Sequence, residues 1–118
     1  MELINFYKGY EGSPEIILKE KENNSSIFEV RLLEYHFNEL LSLLPLGQYH
    51  YESILYNYFT GEGWNNGEWE CKRTEEFLNQ FILIENSVPN ELKDIYLAIK
   101  KICQSIISDS NSLFIELD

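Results

Sequence analysis

The sequence has 118 residues, of which 44% are hydrophobic and 14% aromatic, so general disorder is excluded and one domain spanning residues 1–118 is expected. Twenty Asp and Glu residues stand against nine Lys and Arg residues, giving a net charge of −11. A chain of this charge repels nucleic acid and anionic lipid and attracts basic surfaces, which favours a basic partner. The alternative is that the acidic surface serves solubility alone.

The N-terminal third predicts two strands and a long helix. Residues 3–7 and 15–21 read as strands that pair in a β-hairpin across the turn-rich residues 9–14. Residues 23–25 break the pattern, and residues 26–29, Ser-Ile-Phe-Glu, form a capping box. Behind this box the apolar residues recur at helical spacing as far as Pro45: Val30, Leu33, Phe37, Leu40, Leu41 and Leu44.

The middle of the chain predicts a shorter helix followed by an irregular stretch. Tyr51, Ile54, Leu55 and Tyr58 have helical spacing, and Gly61 suits the left-handed end of that helix. Three glycines and two asparagines within residues 61–69 predict a loop, or a tight hairpin that turns at residues 66–67.

The last third predicts two helices and a strand. Thr74 is expected to cap a third helix, and a fourth helix starts near Pro89 and ends at residues 109–111. Residues 113–117 read as a strand that lies beside the N-terminal hairpin. The predicted fold is therefore α+β, with about four helices packed on a small antiparallel sheet.

Catalytic motifs are not recognisable in this sequence. His36, His50, Cys71 and Cys103 have no metal-ligand or redox spacing, and Cys71 beside Lys72 has no histidine near it in sequence. We therefore predict a protein that is not an enzyme and uses no cofactor or metal. The start of the chain lacks the basic and apolar regions of a signal peptide, and no apolar run could span a membrane, so a cytoplasmic location is expected.

The most unusual feature is a stretch without positive charge. Residues 32–71 contain no Lys or Arg, six glutamates and nine aromatic residues. Trp and Tyr are the favoured anchors of protein interfaces, and glutamates around them would pair with basic residues of a partner. The predicted partner-binding residues are Glu52, Tyr56, Glu62, Trp64, Asn65, Asn66, Glu68, Trp69 and Glu70.

Other interpretations of the same residues remain open. Both tryptophans could fold back onto the core, or an acidic aromatic groove could bind a cationic small molecule. The chain could also be a structural or regulatory subunit, such as a homodimer that buries these aromatics, or a small enzyme without a local motif.

A short, acidic, cysteine-poor and aromatic-rich chain of this kind resembles bacterial immunity proteins. These inhibitors neutralise toxin domains, such as the nucleases of contact-dependent growth inhibition and other polymorphic toxin systems. The resemblance covers the profile of the whole chain, and its most distinctive segment is residues 58–67, YFTGEGWNNG. It implies a monomer that forms a one-to-one complex with a basic toxin, whose nucleic-acid substrate explains the positive charge of its cleft.

Overall fold

The computed structural model describes residues 1–61, Trp64 and residues 67–118. Its strands and α-helices are, in chain order, β1 (Glu2–Asn5), β2 (Glu15–Glu22), β3 (Ser25–Leu33), α1 (Glu34–Leu41), α2 (Ile54–Thr60), β4 (Trp69–Cys71), α3 (Thr74–Ile82), α4 (Lys93–Asp109) and β5 (Ser112–Leu117). Two 3-10 turns, Glu85–Ser87 and Asn90–Leu92, join α3 to α4. The strands form one mixed sheet in the order β1-β3-β2-β5-β4. The predicted α+β class is confirmed.

The predicted N-terminal hairpin is wrong in its partners. β2 pairs antiparallel with β3, through a turn whose residues Asn23 and Asn24 both have positive φ, 50° and 67°. Two adjacent left-handed residues make the turn that suits a two-residue hairpin. β1 instead lies on the far side of β3 and runs parallel to it, with Ile4 opposite Val30.

The first predicted helix is also wrong over its first half. Residues 25–33 form β3, and the helix α1 begins only at Glu34. Phe28, Val30 and Leu32 alternate toward the core and are at most 3% exposed, which is the period of a strand. Ser26 does bond Glu29 at 2.9 Å, but as neighbouring side chains on a strand and not as a helix cap.

The remaining elements are largely as predicted. α2 ends at Gly61, whose φ is 73°, and α4 ends at Ser110, whose φ is 55°. β5 joins the sheet beside β2, as expected for the C-terminal strand. Thr74 is the first residue of α3 and makes no cap; its hydroxyl donates to the carbonyl of Cys71 at 3.4 Å. The three-residue strand β4 was not predicted, because only Trp69, Glu70 and Cys71 form it.

The core lies between one face of the sheet and the helices. The register sets Leu18 beside Val30 and Ile115, all at most 2% exposed. α4 packs across β2, β3 and β5, while α1 packs on β2 and β3, so one face of the sheet is covered. Burial of the apolar side chains between the sheet and these helices supplies the main stabilisation of the fold.

The opposite face of the sheet carries charged side chains. Ile17 lies in one row with Arg31 and Glu116 on the neighbouring strands. Arg31 approaches Glu29 at 3.2 Å and Glu15 at 3.6 Å. We call this face, which also bears Lys19, Lys21, Phe114 and Glu70, the charged sheet face.

Glu15 makes the stability of this fold depend on pH. Its side chain is 4% exposed, and burial raises the pKa of the carboxyl group, although Arg31 acts in the opposite direction. A carboxyl whose pKa is higher in the folded than in the unfolded protein costs stability when it is ionised, and this cost disappears as pH falls through the raised pKa.

We therefore expect Glu15→Gln to melt at a higher temperature than the parent protein at pH 7, and the difference to shrink as the pH is lowered toward 4. Glu116→Gln is the control, because that carboxylate pairs with Lys19 at 2.7 Å and should not be stabilised by neutralisation. Thermal melts across pH measure both variants. A Glu15→Gln protein that is less stable than its parent at pH 7 would contradict the assignment.

Candidate functional site

The structure separates the predicted binding residues into three places. Glu52 and Tyr56 lie at or near α2, Trp64 and Trp69 pack inward, and Glu68 and Glu70 lie at the charged sheet face. Glu62, Asn65 and Asn66 lie outside the described residues. Among the described residues, Trp64 is therefore not part of the surface that Glu52, Tyr56, Glu68 and Glu70 help to form.

Trp64 is a core residue. Only 5% of it is exposed, and its ring lies 5.9 Å from the ring of Phe37 and 5.5 Å from that of Trp69. Trp69 is half-buried and pairs with Ile115, whose side chain faces the core. The expectation that Trp64 projects from the surface as an anchor is therefore wrong, because Phe37 of α1 offers it an apolar contact inside.

Glu68 already has cationic partners within the chain. Its carboxylate accepts hydrogen bonds from the Nζ atoms of Lys19, at 2.6 Å, and Lys21. These bonds hold the pKa of Glu68 below its ordinary value. Glu70 is exposed on β4 opposite Phe114, and it has no Lys or Arg partner among the described residues. Glu68 thus fastens the segment before β4 to β2, while Glu70 is available to a partner.

Glu52 and Tyr56 lie on the side of the molecule formed by α2 and the segment before it. The Glu52 carboxylate is 3.8 Å from the ammonium group of Lys72, so part of its charge is balanced. Tyr56 is half-buried and lines a cavity of about 390 Å³ together with Tyr49 and Phe59.

Exposed large side chains on α1 and in the segment before α2 were not among the predicted binding residues. Tyr35 is 67% exposed, Leu46 84% and Tyr51 68%. Tyr51 had been placed on a buried helical stripe, but α2 starts three residues later, at Ile54. Tyr35 lies off the apolar stripe of α1 that contains Phe37, and this displacement is a signal that sequence reasoning could have used. We call the exposed and half-buried side chains of residues 34–61 the α1–α2 surface.

A second cavity, of about 180 Å³, lies between the two helices. Its lining includes Glu34 and Asn38 of α1, Asn57 and Tyr58 of α2, and Trp64. We call it the α1–α2 cavity. Asn57 was also missed, although a polar residue three positions after the buried Ile54 is a departure from the apolar stripe of α2 that sequence reasoning could have noticed.

Most of the positive charge is paired with carboxylates of the same chain. At least seven of the nine Lys and Arg residues have a carboxylate oxygen within 4.0 Å: Lys19, Lys21, Arg31, Lys72, Arg73, Lys100 and Lys101. Glu34 and Glu39, by contrast, have no Lys or Arg partner in the part of the chain that the structure describes. The neighbouring Glu39 carboxylate raises the pKa of the Tyr35 phenol. The α1–α2 surface is therefore acidic and aromatic.

The described residues offer little to a metal ion or a thiolate mechanism. Residues 1–61, 64 and 67–118 contain no group of three His, Cys, Asp or Glu side chains arranged to hold a metal ion. Burial raises the pKa of Cys71, which is 4% exposed, and of Cys103, so both favour the neutral thiol. Within the same residues, no helix has the length and apolar character needed to cross a membrane.

Comparison of this chain with protein-family models, with curated proteins and with solved structures finds no significant match.

The burial of Trp64 can be tested by truncation. We expect Trp64→Ala to lower the free energy of unfolding by about 3–5 kcal/mol, because a large aromatic side chain leaves a cavity in the core. Urea denaturation measures the change. Tyr51→Ala is the matched control, since truncation of a side chain that is 68% exposed should stay within about 0.5 kcal/mol. Equal effects of the two variants would show that Trp64 is not a core residue.

Proposed function

We propose that this chain is an immunity protein that binds a basic toxin domain, most simply a nuclease, as a one-to-one complex and thereby neutralises it. The binding face in this proposal is the α1–α2 surface, with Glu52 and Tyr56 retained from the predicted residues. Trp64 and Glu68 are not contacts in it, because the first is buried and the second is bound to two lysines.

The observation that carries the proposal is a surface rich in exposed aromatic and acidic groups and poor in cations. Residues 32–71 contain no Lys or Arg in a chain of net charge −11, and Tyr35 and Tyr51 are about two-thirds exposed there. Tyr is among the residues that contribute most to binding energy at interfaces.

Charge supports a basic partner in particular. A nuclease must attract a polyanionic substrate, so its cleft is positively charged. Carboxylates such as Glu34 and Glu39, which lack Lys or Arg partners among the described residues, are free to meet that cleft. Their long-range attraction would accelerate association by roughly ten- to a thousandfold at low salt.

Co-expression of the chain with the domain encoded by the neighbouring reading frame, which the proposal expects to be a toxin, tests this function. We expect that domain to stop cell growth alone and the chain to restore growth, with the purified proteins forming a one-to-one complex. The free chain is expected to scatter light as a 14.0 kDa monomer. A toxic domain that the chain neither binds nor neutralises would contradict the proposal, and a stable dimer burying its own tyrosines would favour the adaptor alternative.

Reversal of one charge on the α1–α2 surface should slow association with the toxin. We expect Glu39→Lys to reduce the association rate by roughly two- to tenfold at low salt and to make the rate less sensitive to salt. Stopped-flow kinetics at several ionic strengths measure both quantities. Glu91→Lys is the matched control, because it makes the same change in net charge at an exposed position in the turn before α4. Equal effects of the two variants would exclude α1 from the interface.

A further inference from the structure

Strand β1 forms one edge of the sheet, and half of its backbone groups point away from the sheet. Phe6 donates its N–H to the carbonyl of Arg31 at 2.7 Å, so the even-numbered residues of this segment bond to β3. The N–H and C=O groups of a strand turn to opposite sides at successive residues. Those of Leu3 and Asn5 therefore point outward, and β3 is the one strand beside β1 in the part of the chain that the structure describes.

The side chains of β1 are incompletely covered on both faces of the sheet. Leu3 is 50% exposed beside Glu29 of β3, on the charged sheet face. On the other face, Ile4 is half-buried at the margin of the core. A strand added beside β1 would cover Leu3 on one face and Ile4 on the other, because successive residues of a strand face opposite sides.

Strand β1 lacks the features that keep the edge of a sheet from pairing. Proteins protect such edges with proline, bulges, unpaired charges or a short strand. The four residues of β1 include neither proline nor lysine, and they pair with β3 without a register shift. Their one charged side chain, Glu2, is bonded to Lys101 of α4 at 2.7 Å. At the other edge, β4 is shorter and carries the exposed Glu70, so β1 is the edge that can accept a strand.

The edge formed by β1 is continuous with the α1–α2 surface. After Asn5 the chain enters a turn in which Tyr10 is 47% exposed. The ring of His36 in α1 lies 6.2 Å from the ring of Tyr10 and 5.9 Å from that of Tyr35. Two exposed tyrosines thus connect α1 with the segment that follows β1, and a partner bound to α1 lies close to this edge.

Charge and size argue against a second copy of this chain as the added strand. Two copies would each bring a net charge of −11 and would share an edge of only four residues. A stable specific interface buries about 800 Å² on each partner, which so short an edge cannot supply alone. A basic partner is attracted by the same charge and gains further area on the α1–α2 surface.

We infer that a strand of the basic partner adds to β1 and extends the sheet by one strand. This inference rests on the proposed function and assigns the complex a second contact besides the α1–α2 surface. The added strand exchanges backbone hydrogen bonds with Leu3 and Asn5 and places an apolar side chain against Leu3. Main-chain hydrogen bonds supply affinity in this type of recognition, and the side chain opposite Leu3 supplies selectivity.

Amide hydrogen exchange, followed residue by residue with NMR, tests the added strand. In the free chain, we expect the amides of Ile4 and Phe6, which face β3, to exchange more slowly than those of Leu3 and Asn5. In the complex with the toxin domain, exchange at Leu3 and Asn5 should slow by roughly tenfold or more, because both amides become hydrogen-bonded.

Two substitutions at one position separate the backbone from the side chain. Leu3→Pro and Leu3→Thr both remove the leucine side chain, but only proline removes the outward N–H and obstructs an approaching strand. We expect Leu3→Pro to raise the dissociation constant of the toxin complex roughly tenfold more than Leu3→Thr does, as measured by calorimetry. Melts of the free variants check that both are folded. If Leu3→Pro does not fold, hydrogen exchange in the parent protein decides, since it needs no variant.

The outcomes separate this inference from the proposed function. A tight toxin complex in which Leu3 and Asn5 exchange as fast as in the free chain would overturn the added strand and leave the immunity function standing. Equal binding by folded Leu3→Pro and Leu3→Thr proteins would have the same meaning. Slow exchange at both amides in a free chain that scatters light as a dimer would make a second copy the occupant, and the inference would be wrong. A chain that the toxin domain does not bind would refute the function and the inference together.

Discussion

Helices cover only one face of the sheet, and this determines which side chains of the protein are buried and which face solvent. β2 is hydrogen-bonded on both sides, and its residues Ile16 and Leu18 are sealed under α4 and α1. With the interior on that side, the alternate residues of the same strands must face outward, and they carry the ion pairs of Lys19 and Arg31. The helices that cover the buried face in turn present their outer residues to solvent.

The two surfaces use their carboxylates differently. On the charged sheet face, Glu29, Glu68 and Glu116 are held by lysine or arginine within the chain. On the α1–α2 surface, Glu34 and Glu39 have no such partner among the described residues. A net charge of −11 therefore does not by itself define a binding face, because many of the acidic side chains are paired with Lys or Arg residues of the same chain. In the proposed function, the carboxylates expected to meet a basic protein are the unpaired ones beside exposed tyrosines.

Sequence reasoning predicted the elements that have one clear period and clear ends. α4, with its apolar stripe through Ile99 and Ile102, and β5 at the chain end are examples. It failed at β3 because Val30, Leu33 and Phe37 fit helical spacing, although Val30 and Leu33 lie in a strand. Only the pairing of this segment with β1 and β2 decides between the helical and the strand period.

Strand partners and side-chain burial likewise could not be predicted from the local sequence pattern. The left-handed pair Asn23 and Asn24 determines which strand β2 meets, and the contact with Phe37 determines that Trp64 turns inward. Each depends on a residue distant in sequence or on a backbone conformation that composition alone does not specify. The structure consequently divides the residues predicted for the candidate site between the core, the charged sheet face and the region of α2, and the cavity lined by Asn57 became visible only in three dimensions.

The shortness of β4 has a consequence for how this protein behaves at high concentration. A sheet that ends in an unpaired strand invites a strand of another molecule to add to it, and the added ladder grows with the length of the exposed edge. Here that edge is three residues long and carries the exposed Glu70, so two copies approaching edge to edge would meet with like charges and gain few hydrogen bonds. The β4 edge of the sheet thus disfavours edge-to-edge pairing of two copies through this side of the molecule.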